Sequence, residues 1–484
     1  MLAKLTHHAA ASSAALRKHS HLLFILPVSK ALSSEWPAGD VLASLMARRR
    51  LKAGELAKSP VTGNLKDGAL ACWIMLDTAK PAFEQQAAIR GAMQPLLAEN
   101  PAELAIVVCG DEAPRRAASR VAAYCAWVNG AVLPERKRKS VRKPLKTIHL
   151  YGARDDDEFA ALRARAEGNV LCRELTVLPP NELTPELYRD RIKRLAKDCG
   201  WKREEFDYQR LKKMGAGAFC AVARGSEVRD AAIVNLKYSH ADATRTVALV
   251  GKGICFDTGG HNLKPARYMY SMHEDMNGSA VVLGILLAAT RMQLPVNLDC
   301  WLAISRNDIS PRAYHQNEVV RALNGTTIEV MHTDAEGRMV LADTLTMAAR
   351  EKPELIIDFA TLTGSMHAAL GDRYSGVFAT SDELGAQAVA AGRKAGERIC
   401  VFPQDDDYDS ALDSKIADVK QCTLDSDPDH ILATRFLKRF VGAVPWLHMD
   451  LSASSSKSGL AAVASETTGF GVGWALDLLT NRVT

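Results

Sequence analysis

Short apolar runs of strand length alternate with amphipathic helical stretches along most of the chain, and this alternation restricts the fold more than any other feature. Strands joined through helices pair in parallel and need cover on both faces, so the pattern predicts an α/β protein. Leu22–Val28, Ala71–Leu76 and Leu104–Cys109 read as buried strands, and Pro81–Leu97 and Ala113–Val128 as amphipathic helices. They predict a small N-terminal α/β domain over residues 1–150, with no cluster of chemical character. Asp155–Leu178 reads as a linker helix filling residues 151–178. Thr184 then offers an N-cap, Pro185 suits the first helical position, and Glu186 complements the helix dipole.

Residues 179–484 predict a larger C-terminal domain with a mostly parallel central sheet covered by helices. Its strand candidates are Val247–Val250, Val296–Ile304, Thr327–Met331, Leu355–Phe359 and Trp446–Leu451. Its helix candidates are Ser279–Met292, Leu341–Arg350, Asp382–Glu397, Ile431–Val441 and Val472–Leu479.

Composition narrows the class. At 484 residues, 47% hydrophobic and 24% charged, the chain reads as an ordinary globular protein able to bury a large core. A net charge of +5 does not by itself demand a nucleic-acid or membrane partner. No apolar run approaches the ~20 residues of a membrane span. None of the ten cysteines lie at CxxC spacing, which points to reduced thiols and a cytoplasmic setting. The first twenty residues are Ala/Ser-rich, carry Lys4, Arg17 and Lys18 and no acid, and read as a frayed helical start, with a transit peptide as the alternative. Pro134–Lys146 is strongly basic and lacks aromatics. It reads as a solvated linker, with phosphate or DNA binding as the lesser alternative.

Three stretches carry chemistry. Gly251–Gly260 is a Gly-rich loop expected after the strand that ends at Val250, with Lys252 and Asp257 in it and Lys264 just beyond. Its spacing is not that of a phosphate loop. Met272–Ser279 opens an apolar helix and contains Asp275. His332–Arg338 places Asp334 and Glu336 two apart in an expected extended segment, where both side chains point to one spot, and Arg338 follows on the same side. Any one of these is ordinary alone. Together Asp257, Asp275, Asp334 and Glu336 hold four negative charges that two divalent cations would neutralise. Oxygen ligands favour Mg, Mn or Zn over soft metals. Lys252 binds a metal only as the neutral amine, so a dinuclear site must depress its pKa.

These stretches, in this order, resemble the leucyl aminopeptidase (cytosol aminopeptidase) family from about Leu171 to the C-terminus. Asp358–Gly364 and Asn181–Pro185 fit as well. The resemblance implies a catalytic role for residues 179–484 and a metal-dependent removal of the N-terminal residue from short peptides. It implies two divalent ions (Zn²⁺, Mn²⁺ or Mg²⁺). Lys252, Asp257, Asp275 and Glu336 would hold one, and Asp257, Asp334 and Glu336 the other. A water activated by both would be the nucleophile. Lys264 would polarise the scissile carbonyl, and Arg338 would hold a bicarbonate ion that relays the proton. Asp275 would receive the α-amine. The backbone at Leu362 would help bind the tetrahedral intermediate. Met272, Thr361 and Gly364 would line an apolar pocket suited to Leu or Met. A homohexamer is implied too.

Some positions depart from that pattern: His332, Asn277, Glu274 beside Asp275, the stretch Thr423–His430 and the run Ser452–Ser458. His332 is expected to support the site through a hydrogen bond, and His448 and Asp450 to be structural. The rival enzyme class, a two-metal phosphatase or nuclease, would use similar carboxylates but has no need of a ligating lysine.

Overall fold

The computed structural model describes residues 2–9, 11–425 and 428–483. Contacts divide the chain into two units. One comprises Met1–Val170, Arg393–Glu397 and Ser456–Thr468; the other comprises Leu171–Gly392, Arg398–Ser455 and Gly469–Thr484.

The first unit is built on a six-stranded sheet. Its order is Lys4–His8, Thr147–Tyr151, Glu103–Val108, His21–Pro27, Leu70–Leu76, Val61–Asn64. All neighbours are parallel except the last pair. Strand alternation sorts the apolar side chains onto two faces. Leu23, Ile25, Ile74 and Ile106 join one buried cluster, and Leu22, Phe24, Trp73 and Val107 the other. The chain start differs from expectation: Lys4–His8 is a strand paired with Thr147–Tyr151, and the helix after it is only Ser13–Leu16. Both outer strands are half polar, so their apolar pattern is faint, and pairing rather than propensity makes them strands. Residues 133–146 have no regular structure and are mostly exposed.

The second unit carries an eight-stranded sheet. Its order is Ile399–Val401, Ser375–Ala379, Trp446–Asp450, Leu355–Ala360, Thr246–Asp257, Asn297–Asn307, Ala232–Tyr238, Lys202–Asp207. The middle four strands run parallel. Apolar positions of the sheet and of the helix Glu336–Arg350 share one buried cluster. Among the described residues no helix is long and apolar enough to cross a membrane, and all ten cysteines are free thiols.

Two expectations near the chemistry need correction. The strand does not end at Val250. It continues through Lys252 to Asp257, paired in parallel with Asn297–Asn307. Its glycines serve a close approach, not a turn. A Cβ on Gly251 would lie 2.5 Å from the Ser279 Cα, and one on Gly278 would lie 2.0 Å from the Phe359 carbonyl oxygen. The helix Asn277–Met292 therefore begins directly against the backbones of two central strands. Asp334 and Glu336 are also not in an extended segment. Asp334 sits in a turn, and Glu336 and Arg338 lie in the first turn of the helix Glu336–Arg350. An acid at a helix N-terminus satisfies the dipole and aims the carboxylate past the helix end.

Because the Gly278 contact is backbone on backbone, no side-chain rotation relieves it. Gly278→Ala is expected to cost about 1–3 kcal/mol or more, read as a lowered denaturation midpoint. Gly91→Ala, where an added Cβ meets nothing within 4 Å, should be neutral or slightly stabilising.

Candidate metal centre

The four middle strands end at one place, and each delivers a polar group there. Thr246–Asp257 ends on Asp257, Asn297–Asn307 on Asn307, Leu355–Ala360 just before Thr361, and Trp446–Asp450 on Asp450. In open parallel sheets this carboxyl edge is where ligands bind.

Lys252, though within a strand, is only 4% exposed at its side chain and lies 2.8 Å from Asp275 Oδ1 and 2.9 Å from Glu336 Oε1. Its Nζ also donates to the Thr361 carbonyl at 2.9 Å. Gly337 makes room for it: a Cβ there would lie 2.8 Å from Nζ. Lys264 lies 2.9 Å from Asp257 Oδ2 and 2.6 Å from Asp334 Oδ1. Asp257, Asp334 and Glu336 each offer an oxygen within 4.8 Å of the others, a spacing that a metal ion could bridge. Lys252 and Lys264 thus sit among Asp257, Asp275, Asp334 and Glu336, and the two cations leave two carboxylates uncompensated.

The electrostatics register this deficit. Burial raises the pKa of Asp275 in spite of Lys252, and Glu336 and Asp257 add to it. Burial and then Asp257 raise Glu336; burial, Glu336 and Asp257 raise Asp334. Burial opposes the charge on Lys252, but Asp275, Glu336 and Asp257 outweigh it and raise its pKa. Lys264 follows the same balance through Asp257, Glu336 and Asp334. Asp275 Oδ2 is buried with no hydrogen-bond partner among the described residues. An orphan carboxylate oxygen in a cluster short of positive charge fits a site for divalent cations.

Several supporting residues carried no clear sequence signal. Asn307 Nδ2 donates to Asp257 Oδ1 at 2.8 Å and to the Thr333 carbonyl at 3.0 Å, and lies 3.4 Å from Glu336 Oε2. Thr333 Oγ1 donates to the Gly259 carbonyl at 2.6 Å, tying the Asp334 turn to the loop after Asp257. That loop turns at Gly259 and Gly260, with φ of +86° and +67°, where glycine is favoured. Asp450 accepts from the Leu362 N–H at 3.1 Å and from Thr363 Oγ1 at 2.7 Å, so it fixes the loop after Ala360. His448 pairs with Asp358 at 2.7 Å, wholly buried.

The remaining expected residues are placed as follows. Thr361 Oγ1 donates to Asp275 Oδ1 at 2.7 Å. Met272 lies on the short 3₁₀ turn before Asp275, and Gly364 opens the helix Gly364–Leu370. Thr361 touches the cluster through Lys252 and Asp275, and the Leu362 N–H bonds Asp450. His332 Nδ1 accepts from the Asp334 N–H at 3.2 Å, a supporting bond. Asn277 Nδ2 donates to Thr176 Oγ1 at 3.0 Å, away from the carboxylates. Arg338 is 2% exposed. Its Nη2 donates to both oxygens of Asp429, at 2.8 and 2.9 Å, and its Nη1 to the Gln421 carbonyl at 3.0 Å. Asp429 belongs to the divergent stretch Thr423–His430, of which Ser426 and Asp427 lie outside the described residues.

Comparison with known proteins decides the family. The catalytic-domain model of the cytosol aminopeptidase family matches residues 170–475. The chain belongs to the cytosol aminopeptidase family. It is 36% identical over 460 residues to a probable cytosol aminopeptidase of Acidovorax ebreus, covering 93% of this chain and 90% of that one. A probable cytosol aminopeptidase of Syntrophotalea carbinolica is 39% identical over 351 residues, covering 71% and 70%. Among solved structures, the bottromycin maturation enzyme BotP in complex with Mn superimposes with a TM-score of 0.84 at 30% identity, covering 96% of this chain and 100% of that one. The α/β expectation and the family resemblance hold.

Asn307 orients two of the cluster's carboxylates without contributing a charge. Asn307→Ala is expected to weaken divalent-cation binding about 10–100-fold, measured by titrating metal-stripped protein.

Proposed function

We propose that this chain is a dinuclear metal-dependent aminopeptidase that removes an apolar N-terminal residue, such as Leu or Met, from short peptides. The observation that carries it is the buried cluster of Lys252, Asp257, Asp275, Asp334 and Glu336, with more carboxylate than the two lysines neutralise. Two divalent cations, zinc or manganese, would supply Lewis acidity and lower the pKa of an attacking water. Lys252, Asp257, Asp275 and Glu336 would hold one ion, and Asp257, Asp334 and Glu336 the other.

The chain's own residues do the rest. Lys264 stays cationic at neutral pH and stabilises negative charge growing on the carbonyl oxygen. Asp275 receives the substrate's free α-amine, which makes the reaction an exopeptidase cleavage. The backbone at Leu362 is assigned to help bind the tetrahedral intermediate; its N–H donates to Asp450, which leaves the carbonyl for that role. Met272, Thr361 and Gly364 are assigned to the first side-chain pocket, where one methylene changes selectivity about 10–200-fold. Arg338 is assigned to hold a bicarbonate ion that relays the proton; its Nη1 and Nη2 donate to the Gln421 carbonyl and Asp429, so the ion would compete with Asp429 for the guanidinium. Ten free thiols support a cytoplasmic setting. A homohexamer rests on the family resemblance and is checked by light scattering.

The deciding assay pairs Leu, Met, Ala and Arg substrates, free and N-acetylated, with metal-stripped, Mn²⁺- or Zn²⁺-loaded and Asp334→Ala protein. Cleavage needing metal, a free amine and Asp334 is the expected result; failure on every free-amine substrate with metals bound would sink the proposal. Added bicarbonate should raise wild-type activity in bicarbonate-free buffer. Asp429→Ala, which uncovers the Arg338 guanidinium, should make activity rise several-fold on adding bicarbonate.

A further inference from the structure

A second convergence of metal-ligand side chains lies in the first unit, on its six-stranded sheet. Thr6 pairs with His149 and His8 with Tyr151; on the other side Glu103 pairs with Thr147 and Ala105 with His149. Register partners share a face and alternate residues return to it, so His8, His149 and Glu103 all stand on one face. His19, just before the strand His21–Pro27, reaches the same place. His19, Glu103 and His149 each offer a ligand atom within 4.8 Å of the others. Leu22, Phe24, Ala105 and Val107 are the apolar neighbours on that face.

The outer partners suit ligand imidazoles. His149 Nδ1 is hydrogen-bonded to His8 Nε2 at 3.0 Å, and His149 Nε2 lies 3.3 Å from Glu103 Oε2. The Tyr151 hydroxyl bonds His19 Nε2 at 2.8 Å, while His19 Nδ1 is buried with no hydrogen-bond partner among the described residues. Metal-binding histidines have one nitrogen fixed by a neighbour and the other turned to the ion. His19 is 91% buried, since its relative exposure is 9%. A hydrogen-bonded polar patch explains the His8, His149 and Tyr151 contacts but not that unpartnered nitrogen.

We propose that His19, Glu103 and His149 form a separate site for one borderline transition-metal ion, zinc in the first instance, with water completing the shell. Two imidazoles and one carboxylate select Zn²⁺, Co²⁺ or Ni²⁺ over Mg²⁺ or Ca²⁺. The ion would clasp the strands Glu103–Val108 and Thr147–Tyr151 to the segment leading into His21–Pro27. The site is chemically unlike the Lys-and-carboxylate cluster and does not depend on the reaction proposed for it.

Full-length protein carrying Asp334→Ala and Glu336→Ala, which weakens that other cluster, is stripped with chelator, dialysed against zinc and assayed for zinc per chain. His149→Ala, His19→Gln and Glu103→Gln are each added to this background, with His240→Ala as a control. The expected result is one zinc ion in the background and in the His240 control, and its loss or marked weakening in all three cluster variants. Zinc should also raise the thermal midpoint of the background but not of those variants. The midpoint without zinc shows that each variant folds. Equal zinc content in all proteins, or loss in His149→Ala with full retention in both other variants, would overturn the assignment.

Discussion

The catalytic unit is organised around mutual repulsion. Asp257, Asp275, Asp334 and Glu336 occupy one buried place, and nothing apolar would hold them there. Their attraction to cations does, assisted by Asn307 and Thr361 as neutral donors. Lys252 is central because it reaches both Asp275 and Glu336 from inside a strand, so the charge pairing is welded to the sheet rather than to a mobile loop. Burying such a group is expensive unless its partners are complete, and the raised pKa values of the acids show that lysines alone leave it incomplete.

The backbone makes this arrangement stiff. Gly251 and Gly278 bring the helix Asn277–Met292 onto the sheet without an intervening side chain, which fixes where Asp275 emerges relative to Lys252. Asp450 does the same for the loop that carries Thr361 and Leu362. Distances among the charged groups are therefore set by main chain and by buried hydrogen bonds, the least compressible parts of the molecule.

Much of this was legible in the sequence, but unevenly. The central strands and the helices against them announce themselves by apolar runs, so the parallel sheet could be read directly. Lys202–Asp207 is too charged to read as a strand and is one only because Ala232–Tyr238 pairs with it. Gly251–Asp257 reads as a loop because glycine usually marks one, whereas here the missing side chains admit a helix. Asp334 and Glu336 come together through a turn and a helix start, where period two in the sequence suggests an extended segment. Asp450 and Asn307 are single polar residues at strand ends, and nothing local distinguishes them from structural ones. The Arg338–Asp429 pair spans distant parts of the chain, and no periodicity reports such a contact.

The placement of Lys252 and Lys264 changes what it means for this protein to lack metal. Their ammonium groups stand between the carboxylates and offset part of the repulsion, and the raised pKa values of Asp275, Asp334 and Glu336 relieve the rest. Under the proposed two-metal reading, loading would bring four positive charges and release a proton from Lys252, within a framework already built. A chain arranged this way would keep its fold without metal, because the lysines and buried hydrogen bonds already span the cluster.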